Sequence, residues 1–377
     1  MKIGIIGGGI GGLTLANAFE SLDIEYHLFE RAEAFGEVGA GIGLSESAIE
    51  IFDMLGLKSK LLEEGKKVRI AKIVDHKFKT IRSIPVDNGG ICIERFKLIN
   101  ILSENLSKGN YSLNSPLLKL NDNRTQVKVS FLQDIEQSFD LVIACDGINS
   151  VIRNQLYPKI KKRYSGQTTW RGIATCQLPE EFDKTYFEMW GNNLRFGVCP
   201  LGNNKYYWYA VKVVPAGQKD DTENLQKDLI ETFQSYPPYV HQIIGNTPKI
   251  IRDDMWDLAP HKFSWHKGKI VFLGDAIHAT TPNMAQGGCQ AIEDAITLAK
   301  VIKKYGGGEK AMQAYEKSRR KRTEYIVNKS WQLGQFAHNK YPVFDTANKL
   351  LFKYLIPGSM FKSQYRKLND ITYLEQI

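Results

Sequence analysis

The chain has 377 residues, a net charge of +9 and a hydrophobic content of 43%. This length exceeds one compact core and predicts two closely packed domains, while the composition excludes a disordered or repetitive chain. The positive charge favours anionic small ligands. The densest basic runs, Lys159–Arg163 and Lys317–Arg322, lack interleaved aromatic residues, so we predict no nucleic-acid partner.

The spacing of the cysteines and histidines argues against a fold stabilised by disulfides and against a metal site. The five cysteines are scattered without a CxxC pair, which predicts neither a disulfide framework nor a zinc site and fits a reducing, cytoplasmic compartment. No histidine arrangement resembles a metal-ligand motif, so we expect no metal site. No apolar run approaches the roughly 20 residues that span a bilayer, so we expect no integral membrane segment.

The first thirty residues have the order strand, glycine-rich turn, helix, strand. Lys2–Ile6 is typical of a buried parallel strand, an apolar helix face extends to about Leu22, and Glu25–Phe29 forms the next strand. The turn between strand and helix fits the pattern GxGxxG and is formed by Gly7, Gly9, Gly11 and Gly12. Glycines at this spacing let the backbone approach a pyrophosphate at the helix N-terminus.

Glu30 ends the second strand, 18 residues after Gly12. A carboxylate at this place can accept hydrogen bonds from ribose hydroxyls and repels a 2′-phosphate. The segment Gly36–Gly43 then adds four glycines that a plain NAD dehydrogenase does not need. We interpret this segment as a loop pressed against a second part of a larger cofactor, and a flexible surface loop is the alternative.

Two later segments repeat the pattern of a buried strand followed by a short motif that contains glycine. Asp140–Ala144 is a predicted buried strand that leads into Asp146 and Gly147. Gly268–Leu273 is followed by Gly274 and Asp275, then by Pro282, Gly287 and Gly288, and by a predicted helix over Gln290–Lys303. An aspartate at the carboxyl end of a parallel strand points towards sugar hydroxyls of a ligand in the crevice.

These three motifs, in this order, resemble the class A flavoprotein monooxygenases, which include salicylate, hydroxybenzoate and FAD-dependent urate hydroxylases. The resemblance spans residues 1 to about 325. It implies an enzyme with FAD as cofactor, NADH or NADPH as transient co-substrate, and O2. It further implies hydroxylation of an aromatic or conjugated heterocyclic small molecule by a flavin C4a-hydroperoxide.

The resemblance also assigns residue roles. Pro282 would approach the flavin ring, where oxygen reacts. The cofactor-binding residues would be Gly7, Gly9, Gly11, Gly12, Glu30, Arg31, Gly41, Arg95, Asp146, Gly147, Gly274, Asp275, Gly287 and Gly288.

Residues 166–265 alternate in a pattern that predicts a largely antiparallel sheet roofing the flavin. Arg195 and Tyr207 match positions that contact the substrate in the urate-hydroxylating branch, and Arg171 and Tyr209 are further candidates. An arginine here could hold an anionic oxygen and a tyrosine could orient a ring. Urate hydroxylases carry an aspartate directly after the motif proline, whereas this chain has Asn283, and an amide cannot act as a carboxylate base.

We therefore predict an α/β fold: a Rossmann-like three-layer FAD domain, a mixed β-sheet substrate domain and a C-terminal helical segment. The FAD domain is expected to comprise residues 1–70, 101–165 and 266–330, with 71–100 as a crossover shared with the substrate domain at 166–265. Residues 331–377 would form helices docked on both domains. A basic amphipathic surface with weak peripheral membrane contact is the alternative for this tail.

Two other functions stay open at this stage. One is a flavin oxidoreductase that does not insert oxygen, and the other is a flavin-binding protein without turnover. An antibiotic-modifying monooxygenase is also compatible, since pocket side chains rather than the fold decide the substrate.

Overall fold

The computed structural model describes residues 1–36, 40–132, 135–191, 193–338 and 358–377. The strands are β1 (Ile3–Ile6), β2 (Tyr26–Phe29), β3 (Gly41–Leu44), β4 (Lys66–Asp75), β5 (Thr80–Glu94), β6 (Tyr111–Ser112), β7 (Leu117–Asp122), β8 (Val127–Phe131), β9 (Glu136–Phe139), β10 (Leu141–Ala144), β11 (Lys162–Thr175), β12 (Thr185–Gly191), β13 (Leu194–Gly202), β14 (Lys205–Val213), β15 (Ile250–Leu258), β16 (His266–Lys267) and β17 (Ile270–Phe272).

The helices are α1 (Ile10–Ser21), α2 (Glu46–Met54), α3 (Lys58–Glu64), α4 (Arg95–Glu104), α5 (Val151–Leu156), α6 (Leu225–Thr232), α7 (Pro238–Gly245), α8 (Asp275–His278), α9 (Gly287–Tyr305), α10 (Glu309–Ala337) and α11 (Gly358–Asn369). Short 3-10 helices lie at Glu180–Asp183, Pro282–Met284 and Thr372–Glu375.

A six-stranded sheet carries the three glycine motifs. Its order is β16-β17-β10-β1-β2-β6, and every pairing is parallel except that of β16 with β17. All residues of β1 and β10 are buried, as expected for parallel strands covered on both faces. Because β1, β10 and β17 are neighbours, the loops that follow them meet at one edge of the sheet.

Two layers cover this sheet, which confirms the predicted three-layer α/β fold. Helices α1 and α9 pack together within the main core on one side. On the other side lies the small antiparallel sheet β7-β8-β9. Phe131 stacks on Phe29 of β2 at 4.4 Å between ring centroids, and Phe139 lies 3.0 Å from where a Cβ on Gly4 of β1 would stand.

The second sheet has eight strands in the order β15-β11-β14-β13-β12-β4-β5-β3. Its pairings are antiparallel except that of β4 with β12. Strands β12 to β15 lie within the predicted interval 166–265, and β11 begins just before it, at Lys162. Strands β3 and β4 begin before residue 71 and also belong to this sheet. Local patterns could not predict this, because β4 pairs with a strand about 115 residues later in the chain.

The sheet curls, so that its β5 end approaches β13 although these strands are not paired. Cys92 of β5 and Cys199 of β13 form a disulfide with a Cα–Cα distance of 6.6 Å. The spacing of the cysteines predicted no disulfide framework, and this prediction is wrong for Cys92 and Cys199. The two cysteines are 107 residues apart, and only the curl of the sheet brings them together.

A fully buried cluster of charges links α9 to α10. Arg319 of α10 donates to Asp294 Oδ1 at 2.7 Å through Nε and to Glu293 Oε2 at 2.6 Å through Nη1. Arg322 pairs with the same Glu293 oxygen at 2.8 Å. Burial alone would raise the pKa of Asp294, but His278 and Arg319 hold it down to about 2. Asp294 is therefore charged at neutral pH, and its buried carboxylate requires its cationic partners.

The C-terminal segment docks on this cluster. The hydroxyl of Tyr373 accepts from Arg319 Nη1 at 2.9 Å, and Lys300 Nζ donates to the carbonyl of Leu374 at 2.8 Å. Residues 339–357, which include much of the predicted amphipathic tail, lie outside the described residues. None of the described helices is both long and apolar enough to cross a membrane.

The buried cluster yields a stability prediction. Replacing Arg319 by Met should lower the free energy of unfolding by ~3–5 kcal/mol, because Glu293 and Asp294 would remain buried without enough positive charge. Urea denaturation measures this value. The control Lys321→Met changes an exposed position on the same helix and should stay within about 0.5 kcal/mol of the unsubstituted protein. Equal losses in both variants would contradict a special role of the cluster.

Candidate functional site

The first motif forms a tight turn between β1 and α1. Gly7 has φ +111°, and a Cβ there would collide with the carbonyl of Cys145, the residue after β10. A Cβ on Gly12 would collide with the carbonyl of Gly7, and one on Gly11 would lie 2.7 Å from Leu273 after β17. These glycines therefore let the start of α1 sit close to the ends of the other two motif strands.

Gly9 differs from its neighbours because the space beside it is open. No described heavy atom lies within 4 Å of where its Cβ would stand, and no described side chain caps α1, which begins at the next residue. The N-terminal N–H groups of a helix attract anions. Beside this opening, Glu30 accepts from the N–H of Gly8 at 2.6 Å and of Ala32 at 2.9 Å, and Arg31 is exposed.

The second motif is locked to the third by Arg153, which is fully buried. Its guanidinium donates to the carbonyl of Ile148 at 2.6 Å and to the carbonyl of Ala276 in α8 at 2.9 Å. Asp146 Oδ2 accepts from the N–H of Ile152 at 3.2 Å, while its Oδ1 is buried without a hydrogen-bond partner among the described residues. Burial raises the pKa of this carboxyl, and Gly147 beside it has φ +75°.

The third motif is held by the buried cluster. Gly274 has φ +62° and donates its N–H to Asp294 Oδ2 at 3.0 Å, while the side chain of Asp275 projects into the open cleft. Enclosure by surrounding protein raises the pKa of Asp275, although its side chain is exposed to solvent. The neighbouring His278 and Arg95 oppose this rise.

Helix α9 begins at Gly287, three residues before the predicted start at Gln290. The prediction that Gly287 and Gly288 form a turn ahead of the helix is therefore wrong. They belong to its first turn, because the chain reverses earlier, at Ala285, which has φ +51°. A Cβ on Gly288 would lie 2.8 Å from Ile42 of β3, so a glycine permits this close contact.

The start of β3 joins the two halves of the site. The N–H of Arg95 donates to the carbonyl of Ala40 at 2.9 Å, and a Cβ on Gly41 would collide with the side chain of Tyr207 in β14. Burial raises the pKa of Tyr207, and the positive charges of Arg171 and Arg95 oppose this shift. The phenol is therefore uncharged at neutral pH.

One face of the eight-stranded sheet presents polar side chains from β12, β13 and β14. Tyr207 and Tyr209 are partly exposed on it. Arg195 is only 2% exposed, donates through Nη1 to Glu188 Oε1 at 3.2 Å, and donates through Nη2 to Asn283 Oδ1. Tyr186 donates to Glu188 Oε2 at 2.8 Å and shares a hydrogen bond with the hydroxyl of Tyr209.

Asn283 connects this sheet face to the proline turn. Its Nδ2 donates to the hydroxyl of Thr281 and to the carbonyl of Ser330 in α10, both at 3.0 Å. The 3-10 turn that contains Pro282 is therefore fixed between Arg195 on the sheet and helix α10. At the outer part of the face, Arg171 forms an ion pair with Asp253 at 2.5 Å.

The structure places the glycine and aspartate motifs on loops after neighbouring strands and Tyr207 against Gly41 of β3, and it adds two residues that the predictions lacked. Arg153 follows the second motif in the sequence, but no sequence pattern indicates which groups it hydrogen-bonds. Glu188 could have been noticed as a single acid within the apolar strand Thr185–Gly191. Because Arg195 was predicted to contact the substrate, its ion pair with Glu188 on the adjacent strand was not predicted.

Comparison with known proteins gives consistent matches over most of the chain. Residues 1–330 match the family described as FAD binding domain. The chain is 35% identical to Aurachin C monooxygenase/isomerase of Stigmatella aurantiaca over 341 residues, which cover 88% of each protein. It is 27% identical to 2-heptyl-3-hydroxy-4(1H)-quinolone synthase of Pseudomonas aeruginosa, covering 98% of this chain and 97% of that protein.

Among solved structures, Klebsiella pneumoniae HpxO in complex with FAD and uric acid has the same fold. The TM-score is 0.89 at 24% identity, covering 98% of this chain and 96% of that one.

The environment of Arg195 yields a pH prediction. His338, 6% exposed, has a pKa lowered to about 3 by burial and then by the charge of Arg195. In the unfolded chain this histidine binds a proton below about pH 6.5, whereas the folded protein does not, so stability falls as pH falls. Between pH 7 and 5 the free energy of unfolding should drop by ~2 kcal/mol more than in His338→Gln. Parallel pH profiles of the two proteins in urea denaturation would contradict this.

Proposed function

The chain belongs to the class A FAD-dependent monooxygenases, and on that premise we propose that it hydroxylates a conjugated nitrogen heterocycle of the 4-quinolone type. The family activity is the hydroxylation of an aromatic or heterocyclic small molecule with FAD, NAD(P)H and O2. The observation that carries the proposal is that β3 brings the motif loops beside the tyrosine-bearing sheet face, through the approach of Gly41 to Tyr207 and of Gly288 to Ile42. A flat ring system would bind between these two walls.

The residues present fit FAD on three independent observations. Gly9 leaves room beside the uncapped N-terminus of α1, where a pyrophosphate would be bound. The buried Asp146 Oδ1 lacks a described partner, and the carboxylate of Asp275 is open to the cleft. We assign the ribose of the adenosine to Glu30 and the sugar-like chain next to the flavin to Asp275.

The remaining cofactor contacts follow from the placement of the loops. Arg95 and Gly41 would lie along the cofactor between the two sheets, and Gly287 and Gly288 would lie beside the flavin ring. The N-terminus of α9, a 19-residue helix, favours negative charge on a reduced ring. When bound, FAD supplies the electron transfer from NAD(P)H and the activation of O2.

The protein's own part is positioning and exclusion of water. Tyr207 and Tyr209 would orient the substrate ring through their faces and uncharged hydroxyls. The turn at Pro282 would set the distance between substrate and flavin, and Arg195 would keep this turn in place through Asn283. Leu333 and Phe336 at the end of α10 pack beside Trp190 and would close one side of the cleft to water.

The substrate class is supported by two relatives that cover nearly the whole chain. One is named for forming a 4-quinolone with a 3-hydroxyl group, and the other is named as a monooxygenase of aurachin C. Asn283 stands in place of the aspartate of urate hydroxylases, so no carboxylate follows the proline, and its amide is engaged by Arg195, Thr281 and Ser330. A neutral N–H and carbonyl pair, as in a 4-quinolone, suits amide and phenol partners.

The glycine cradle yields a cofactor-binding prediction. Gly9→Ala should leave the fold intact, because φ is −77° and the space is open, but should weaken FAD binding by about tenfold or more. Flavin fluorescence titration of the apoprotein gives the affinity, and the melting temperature reports folding. The control Gly245→Ala adds the same methyl group at an equally open site at the end of α7. An unchanged affinity for FAD in Gly9→Ala would contradict the assignment.

The reaction itself is tested by oxygen labelling. The FAD-loaded protein, incubated with NADH or NADPH, ¹⁸O₂ and a 4-quinolone, should give a hydroxylated product carrying one ¹⁸O atom, as measured by mass spectrometry. NAD(P)H consumption without labelled product would favour a flavin oxidoreductase. Absence of any NAD(P)H consumption, with a panel of quinolones, purines and phenolic acids, would favour a flavin-binding protein without turnover.

A further inference from the structure

The polar sheet face contains a carboxylate whose position the hydroxylation chemistry does not require. Glu188 is 8% exposed and lies in β12 between strands β4 and β13. It accepts hydrogen bonds from Tyr186 at 2.8 Å, from Trp190 Nε1 at 2.9 Å and from Arg195 at 3.2 Å. Three donors around one buried carboxylate hold it in a single orientation.

This carboxylate neutralises the arginine that would otherwise attract an anionic substrate. Arg195 is buried against Glu188 and the neutral amide of Asn283, and the neighbouring His338 is uncharged because its pKa is lowered to about 3. The second arginine of the face, Arg171, is paired with Asp253. Each arginine predicted as an anion contact therefore already has a carboxylate partner on an adjacent strand.

The charge of Glu188 also affects the two tyrosines beside it on the polar sheet face. Tyr186 and Tyr209 have pKa values raised well above the usual range, first by burial and then by the charge of Glu188. Their hydroxyls remain protonated and share a hydrogen bond that ends on the carboxylate. The wall next to the substrate consequently presents neutral hydroxyl and amide groups, with a negative charge directly behind them.

An anion placed on this wall would lie near Glu188, and the two arginines of the face, Arg195 and Arg171, are already paired with carboxylates. Like charges at short range in a desolvated site repel each other, and proteins use such repulsion as well as attractive contacts to discriminate between ligands. A neutral heterocycle loses no such energy and can exchange hydrogen bonds with the hydroxyls and the amide.

We infer that Glu188 determines substrate charge: by neutralising Arg195, it makes the site select an uncharged heterocycle and reject its anionic analogue. The inference rests on the proposed function, because the substrate must bind between this face and the flavin. Glu188 acts through Arg195 and the tyrosines and is a positioning residue rather than a catalytic one.

The test compares two ligands that have nearly the same shape and differ by one unit of charge. The FAD-loaded protein is titrated at pH 7.5 with 4-quinolone-2-carboxamide and with 4-quinolone-2-carboxylate, and the perturbation of the flavin spectrum gives each Kd. Salicylamide and salicylate form a second pair. We expect the unsubstituted protein to bind each amide about tenfold or more tightly than its carboxylate.

Substitutions test whether the charge of Glu188 causes the expected preference for the amides. Glu188→Gln should raise carboxylate affinity and remove or invert the ratio, because Arg195 becomes available. The double variant Glu188→Gln/Arg195→Gln lacks both charges and should again prefer the amides. Tyr186→Phe removes one hydrogen bond to Glu188 without changing charge and is the matched control, in which the ratio should persist.

The outcomes separate the inference from the function on which it rests. Equal Kd values for amide and carboxylate in the unsubstituted protein would overturn the inference, as would an unchanged ratio in Glu188→Gln. Either result leaves heterocycle hydroxylation intact if a ligand still perturbs the flavin. A flavin spectrum that no ligand of either pair perturbs would overturn the inference and the proposed function together.

Discussion

The structure depends most on the buried ion cluster in which Arg319 neutralises Glu293 and Asp294. Charges with no access to water must be paired, so the cluster fixes the register of α9 against α10. Asp294 also accepts the N–H of Gly274 and a hydrogen bond from His278, and it thereby sets the backbone of the third motif. The C-terminal segment docks on the same arginine, so distant parts of the chain share one electrostatic anchor.

From this anchor the site is built by close backbone approaches and by two bridging side chains, Arg153 and Arg195. The turns at Gly7 and Gly274 bring loops of neighbouring parallel strands together, and Arg153 ties two of those loops through their carbonyls. Across the cleft, Arg195 holds the proline turn to the second sheet through Asn283. The motif edge of the first sheet and the polar face of the second sheet are thus connected by hydrogen bonds.

Much of the first sheet could be predicted from sequence, because strand, glycine turn and helix follow each other locally and each leaves a recognisable pattern. The family membership followed from three such motifs in order. The second sheet was only partly predictable, since β4 pairs with β12 across a long separation and its curl joins Cys92 to Cys199. The pairing of Arg195 with Glu188 also depends on strand neighbours, and sequence alone gave that arginine to the substrate.

In the proposed function the cleft holds FAD, and a conjugated heterocycle binds beside it and is hydroxylated. The most direct measurement is the visible spectrum of the FAD-reconstituted protein under anaerobic conditions after NADH or NADPH is added, with and without a 4-quinolone. We predict flavin bands that bleach slowly alone and much faster with the heterocycle bound. A protein that takes up no FAD would contradict the account, as would one whose bleaching no aromatic ligand accelerates.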